Sequence, residues 1–120
     1  MDVDKPRGTG SAAEQAARIR ALNDRFRSSM LGGHVVVTRA AWSQSPETRL
    51  RLLQAVTDFD AFNAGNDPHN EHDFGAFTCS GVSYIWKIDY YDRARRFASP
   101  DPSNAAITVR VLTIMCANEY

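Results

Sequence analysis

The run FGAFTCSGVSYIWKIDYYD, residues 74 to 92, leaves this chain less freedom than any other stretch. From Val82 onward the bulky apolar residues recur at every second position: Val82, Tyr84, Trp86, Ile88 and Tyr90 share one side, and Ser83, Ile85, Lys87, Asp89 and Tyr91 the other. Such alternation is the mark of a strand with one face in the core and a more polar face outside. FGAFTC before it reads as a partner strand, because Ser80-Gly81 suits a tight turn in which glycine accepts a positive φ. With an even-length turn Phe77 faces Tyr84, Gly75 faces Trp86 and Phe74 faces Lys87. A glycine beneath an indole fits, since a side chain there would collide with the ring. The same register sets His72 opposite Asp89 on the polar face. A bulge or an odd turn would move His72 to the other side.

The segments around this hairpin read as helices and one further strand. Ser11 and Glu14 have capping-box spacing, and Ala12, Ala16, Ile19, Leu22, Phe26 and Met30 follow at helical intervals up to Gly32-Gly33. Arg18, Arg20, Arg25 and Arg27 fall largely off that stripe, so a solvated basic face is expected. HVVVTRA, residues 34 to 40, suits a short strand. Ser45, Pro46 and Glu47 then start a second helix that turns Leu52, Leu53, Val56 and Phe59 to the core. DFDAFNAGNDPHN, residues 58 to 70, ends it as an acidic loop. The last segment, AAITVRVLTIMCANEY, has the β-branched residues of a strand, yet Ile107, Val111, Ile114, Met115 and Asn118 also keep helical spacing. Pro-Asp-Pro-Ser before it resembles a helix start, so a C-terminal helix is expected. The fold class is α+β: a small antiparallel sheet with a β-hairpin and helices packed on one face, in the order α-β-α-β-β-α.

With 120 residues, 43% of them hydrophobic, the chain has enough apolar surface for one core over residues 11 to 120 without metal or disulfide support. Residues 1 to 10, MDVDKPRGTG, read as a disordered lead-in. Neither an apolar leader nor a membrane-length segment is present, and the two cysteines, Cys79 and Cys116, are far apart without CxxC spacing. A cytoplasmic protein without membrane contact is expected. Lys plus Arg and Asp plus Glu are 14 each, so net charge does not favour a polyanion. The charge is nevertheless segregated: no Lys or Arg occurs between Arg51 and Lys87, where Asp58, Asp60, Asp67, Glu71 and Asp73 all lie.

Three chemistries are available to the NDPHNEHDFGAF run and its cross-strand neighbours. His72 beside Asp89 makes a carboxylate-oriented imidazole, a general base that Lys87 would assist by stabilising negative charge. His72, Asp89 and Lys87 are therefore the catalytic candidates. Neither Ser83 nor Cys79 is placed as a nucleophile. A metal would need Glu71, His72 and Asp73 together, with His69, yet consecutive strand residues point to opposite faces, so neither metal nor other cofactor is expected. Nucleic acid would use Tyr91 with Arg93, Arg95 and Arg96, but the acidic loop repels phosphate and the aromatic face belongs to the core, so it is not the expected partner. A protein partner is, and the binding candidates are Glu71, His72, Lys87, Asp89, Tyr91 and Arg93.

LNDRFR, GGHVVVT, NDPHNEHDFGAF, WKIDYYD and RVLTIMCANEY, in this order from about Ile19 to Tyr120, resemble the bacterial domain of unknown function 3768. Asp67, Pro68, Glu71, His72, Asp73, Phe74 and Gly75 match its D-P-x-x-E-H-D-F-G pattern, and Trp86 to Asp92 its second signature. His69 occupies a variable position of the first pattern. The resemblance implies no established activity, cofactor or catalytic residue. It implies short stand-alone proteins of proteobacteria, often carried on plasmids and other mobile elements. The expected function is a non-catalytic binding or regulatory accessory protein engaging a host protein, for example an inhibitor of host defence. The alternative is a small hydrolase-type enzyme using a His-Asp dyad or a metal at the acidic loop.

Overall fold

The protein is described by a computed structural model over residues 10–120. Of the disordered lead-in expected over residues 1–10, residues 1–9 lie outside the described residues. Helix α1 (Ala12–Ser29) opens on the expected capping box, with the Ser11 hydroxyl accepting from Glu14 N and the Glu14 carboxylate accepting from Ser11 N. It ends before the glycine pair, because Met30 adopts φ 60 and its N–H closes on the Phe26 carbonyl at 2.7 Å. Strand β1 (His34–Val37) is shorter than the expected 34 to 40. Thr38 turns away to cap a short helix, α2 (Arg39–Trp42), which the sequence pattern does not announce. Helix α3 (Pro46–Thr57) starts at the Ser45 cap and buries Leu52 and Val56 completely, with Leu53 and Phe59 packed beside them.

The hairpin follows the expected register from Phe74 to Cys79. Strand β2 (Phe74–Cys79) pairs antiparallel with β3 (Val82–Tyr91), with Gly75 opposite Trp86 and Phe74 opposite Lys87. A Cβ on Gly75 would lie 2.3 Å from Trp86 Nε1, so the indole can occupy this place only over glycine. Tyr84, Trp86 and Ile88 form the floor of the core, and Phe26 of α1, Ala41 of α2 and Leu52 and Val56 of α3 pack onto it. The α+β class, with helices on one face of a small sheet, is therefore the observed one.

The final segment corrects the expected C-terminal helix. A 3₁₀ turn at Ala105–Ile107 leads into strand β4 (Val109–Cys116), which pairs antiparallel with β3 along Tyr84 to Tyr91. The physical reason lies in β3. It is buried in the middle of the molecule, and with only β2 beside it, its second row of backbone N–H and C=O groups would have no partner. The β-branched run from Ile107 to Ile114 fills that edge, and the competing helical spacing loses. Strand β1 then adds parallel to β4, with Val35 beside Leu112, giving the order β1-β4-β3-β2. The sheet is mixed, whereas an all-antiparallel one was expected.

Candidate functional site

Pairing of the hairpin stops one step short of the His72–Asp89 contact. Asp73 still accepts from Ile88 N at 2.8 Å, but β2 begins only at Phe74, and His72 takes φ 55. That left-handed turn swings its ring off the sheet and back towards α1. The expected dyad therefore does not form.

His72 instead fills a slot between α1 and the acidic loop. Its Nδ1 lies 2.8 Å from Asp24 Oδ1, its Nε2 lies 3.6 Å from Asp67 Oδ2, and its ring stacks on Phe62 with centroids 3.7 Å apart. Asp67 Oδ1 accepts from the backbone N of both Glu71 and His72, which closes the loop on itself. Arg27 reaches the same place: Nη1 meets Asp24 at 3.1 Å, Nη2 donates to the Phe59 carbonyl, and the guanidinium packs against the Phe62 and Trp86 rings. An imidazole with both nitrogens turned to carboxylates and one face on a phenyl ring is a tie between segments. A shallow cavity of about 390 Å³ borders it, lined by Phe62, Asn63, Asp67, Pro68 and His72.

Glu71 is likewise turned inward, at 6% exposure. The Tyr90 hydroxyl donates to Glu71 Oε1 at 2.9 Å and accepts from Asn23 Nδ2 at 2.8 Å, while Asn23 also donates to the Glu71 carbonyl. Asn23 Oδ1 accepts from Arg110 Nε at 2.8 Å, extending the chain of bonds to β4. Burial beside Glu71 pushes the Tyr90 phenol far above its ordinary range, so it remains a neutral donor. Glu71 and His72 are thus brought near each other, but for fastening α1 to the loop and sheet.

Lys87, Asp89 and Tyr91 do share the other face of β3, as the alternation requires. Lys87 Nζ is in contact with Asp89 Oδ2, each side chain being about a third exposed. Lys87 and Asp89, but not Tyr91, line a cleft of about 310 Å³ together with His69, Asp73, Phe74 and Tyr120. Burial, then the charge of Glu71, raises the Asp73 carboxyl above the usual carboxylate range. Arg93 is exposed in the turn after β3, apart from this cleft. Among the described residues no three of His, Cys, Asp and Glu stand close enough to hold a metal ion. No described helix is long and apolar enough to cross a membrane.

Sequence reasoning missed the α1 side of this site. Arg27, expected on a solvated basic face, is 5% exposed, and Asn23 is fully buried. The signal was present in the spacing: Ile19, Asn23 and Arg27 succeed one another at four-residue intervals on the buried side of the helix. Polar residues at such positions announce partners elsewhere in the chain, though not which ones.

These features define a small α+β protein with a polar network fastening its first helix and a second sheet face that carries Lys87, Asp89 and Tyr91. The chain belongs to the family described as Protein of unknown function (DUF3768), whose model matches residues 37–119. Compared with curated proteins and with solved structures, it gives no match. The matched range begins after α1, so Asn23, Asp24 and Arg27 lie outside it, while their partners Phe59, Glu71, His72, Tyr90 and Arg110 lie inside.

Proposed function

We propose that the protein is a small non-catalytic binding module that engages a protein partner in the bacterial cytoplasm through the sheet face that carries Lys87, Asp89 and Tyr91. The observation that carries this reading is the Lys87–Asp89 pair. It stands about a third exposed on that face, beside a cleft lined by Phe74 and Tyr120. Aromatic rings around a few polar anchors are the usual make-up of interface centres. The mobile-element setting implied by the family resemblance makes a host protein, such as a component of a defence system, the expected partner. The test is capture from host lysate by wild type, Lys87→Ala and Tyr91→Ala, each checked for folding by circular dichroism. A protein held by wild type and lost by both variants supports the reading. If wild type holds nothing that the variants lose, the reading fails.

A second, hydrolytic reading is favoured by one observation, the raised carboxyl of Asp73 in the same cleft as Lys87 and His69. An acid tuned in this way suits general acid–base work, and it replaces the His72–Asp89 dyad as the candidate. Turnover of small esters or amides that is lost in Asp73→Asn would favour it. Turnover unchanged in that variant would dismiss it.

A further inference from the structure

Strands β1 and β2 are the two edges of the sheet, and they differ in what guards them. β1 is four residues long, and Thr38 leads from it straight into α2. β2 runs for six residues in an unbroken ladder, without proline, and no charged residue occurs anywhere between Asp73 and Lys87. Short length, charge, proline and bulges are the means by which an edge is kept from pairing with another chain. β2 carries none of them.

The ladder shows which backbone groups of β2 are free. In an antiparallel pair, successive residues turn their N–H and C=O alternately towards the partner strand and away from it. Asp73 accepts from Ile88 N, so Asp73, Gly75, Phe77 and Cys79 turn these groups to β3, and Phe74, Ala76 and Thr78 turn theirs outward. The outward N–H and C=O groups of these three residues make no hydrogen bond with another described residue. Ala76 and Thr78 are exposed, so the row is open to solvent.

We propose that β2 is a pairing edge for a second copy of this chain, joined antiparallel about a two-fold axis at Ala76. In that register Phe74 faces Thr78 of the second copy, Ala76 faces its own counterpart, and every outward N–H meets a C=O. A like copy is the occupant that the edge itself selects. The free row is symmetric about Ala76, its lack of charge leaves two identical edges without repulsion, and its smallest side chain stands at the axis, where the copies come closest. An edge meant for one unlike strand needs a charge or a large side chain to choose it. The pairing merges the two sheets into one and sets both Lys87–Asp89 pairs on the same side. It uses the edge and not that face, so it stands independently of the protein-binding reading.

The experiment is sedimentation equilibrium of the full-length protein from about 1 μM to about 1 mM, a range in which wild type is expected to pass from monomer to dimer. Ala76→Pro removes the N–H at the axis and leaves the bonds to β3, so it is expected to stay monomeric with a native circular dichroism spectrum. Ala76→Lys and Ala76→Glu set like charges against each other across the axis. Each alone is expected to associate several-fold more weakly than wild type, and an equal mixture of the two more tightly than either. This charge swap decides the matter if the proline variant misfolds. The proposal is overturned if wild type is monomeric throughout, if natively folded Ala76→Pro dimerises like wild type, or if the mixture associates no more tightly than its components.

Discussion

His72 Nδ1 lies 2.8 Å from Asp24 Oδ1, and this contact ties the acidic loop to the first helix. The ring also loses solvent to its stack on Phe62. His72→Ala therefore removes a packing surface and a charge-assisted bond together, and it is expected to cost about 1–2 kcal/mol of folding stability. Urea unfolding of the two proteins gives the difference. A variant as stable as wild type would show that the ring is not a structural tie.

The Tyr90 hydroxyl is the centre of the buried network, a donor to Glu71 and an acceptor from Asn23. Tyr90→Phe keeps the ring beneath Arg110 but leaves both polar partners short of one bond in a buried site. The expected loss is about 1–3 kcal/mol, larger than for a solvent-facing hydroxyl. Chemical denaturation measures it, and a loss below about 0.5 kcal/mol would mean that water substitutes for the hydroxyl.

Gly75 and Trp86 are packed without slack. The missing Cβ would lie 2.3 Å from Nε1, 2.7 Å from Cε2 and 2.8 Å from Phe59 Cζ. Gly75→Ala must push the indole against Phe59, at a cost of about 1–3 kcal/mol, with a changed near-ultraviolet tryptophan signal. An unchanged melting temperature and signal would contradict this packing.

Asp73 makes stability pH-dependent in the direction opposite to a salt-bridged acid. Its folded pKa is raised above 3.8, so the native state binds the proton more tightly than the unfolded chain. Ionisation of this group opposes folding at neutral pH, and the penalty fades as pH falls through the raised value towards 3.8. Asp73→Asn is thus expected to melt higher than wild type at pH 7, with the gap closing by about pH 4. Melting curves across that range check it, and a gap that is constant or reversed in sign would count against the assignment.

The hairpin was legible in detail because its determinants are local. Alternation fixes the faces, Ser80-Gly81 fixes the turn, and Gly75 can face only a residue that needs its missing side chain. Helices α1 and α3 were legible for the same reason, through their caps. His72 was misplaced because a strand pattern carries no mark of where pairing stops. One residue at positive φ redirected the ring, and that choice depends on Asp24, 48 positions away, waiting to receive it.

What the sequence determined by itself is therefore the α+β class, the faces of β3 and the grouping of Lys87, Asp89 and Tyr91 on one of them. The tertiary structure decided that residues 109 to 116 are a strand, since β3 has a second edge to satisfy. It decided too that Arg27, Asn23 and Glu71 are buried, since each finds a partner only once α1 lies against the acidic loop. Local periodicity reports which side of an element is apolar. Whether a polar group can leave water depends on what the rest of the chain brings to meet it.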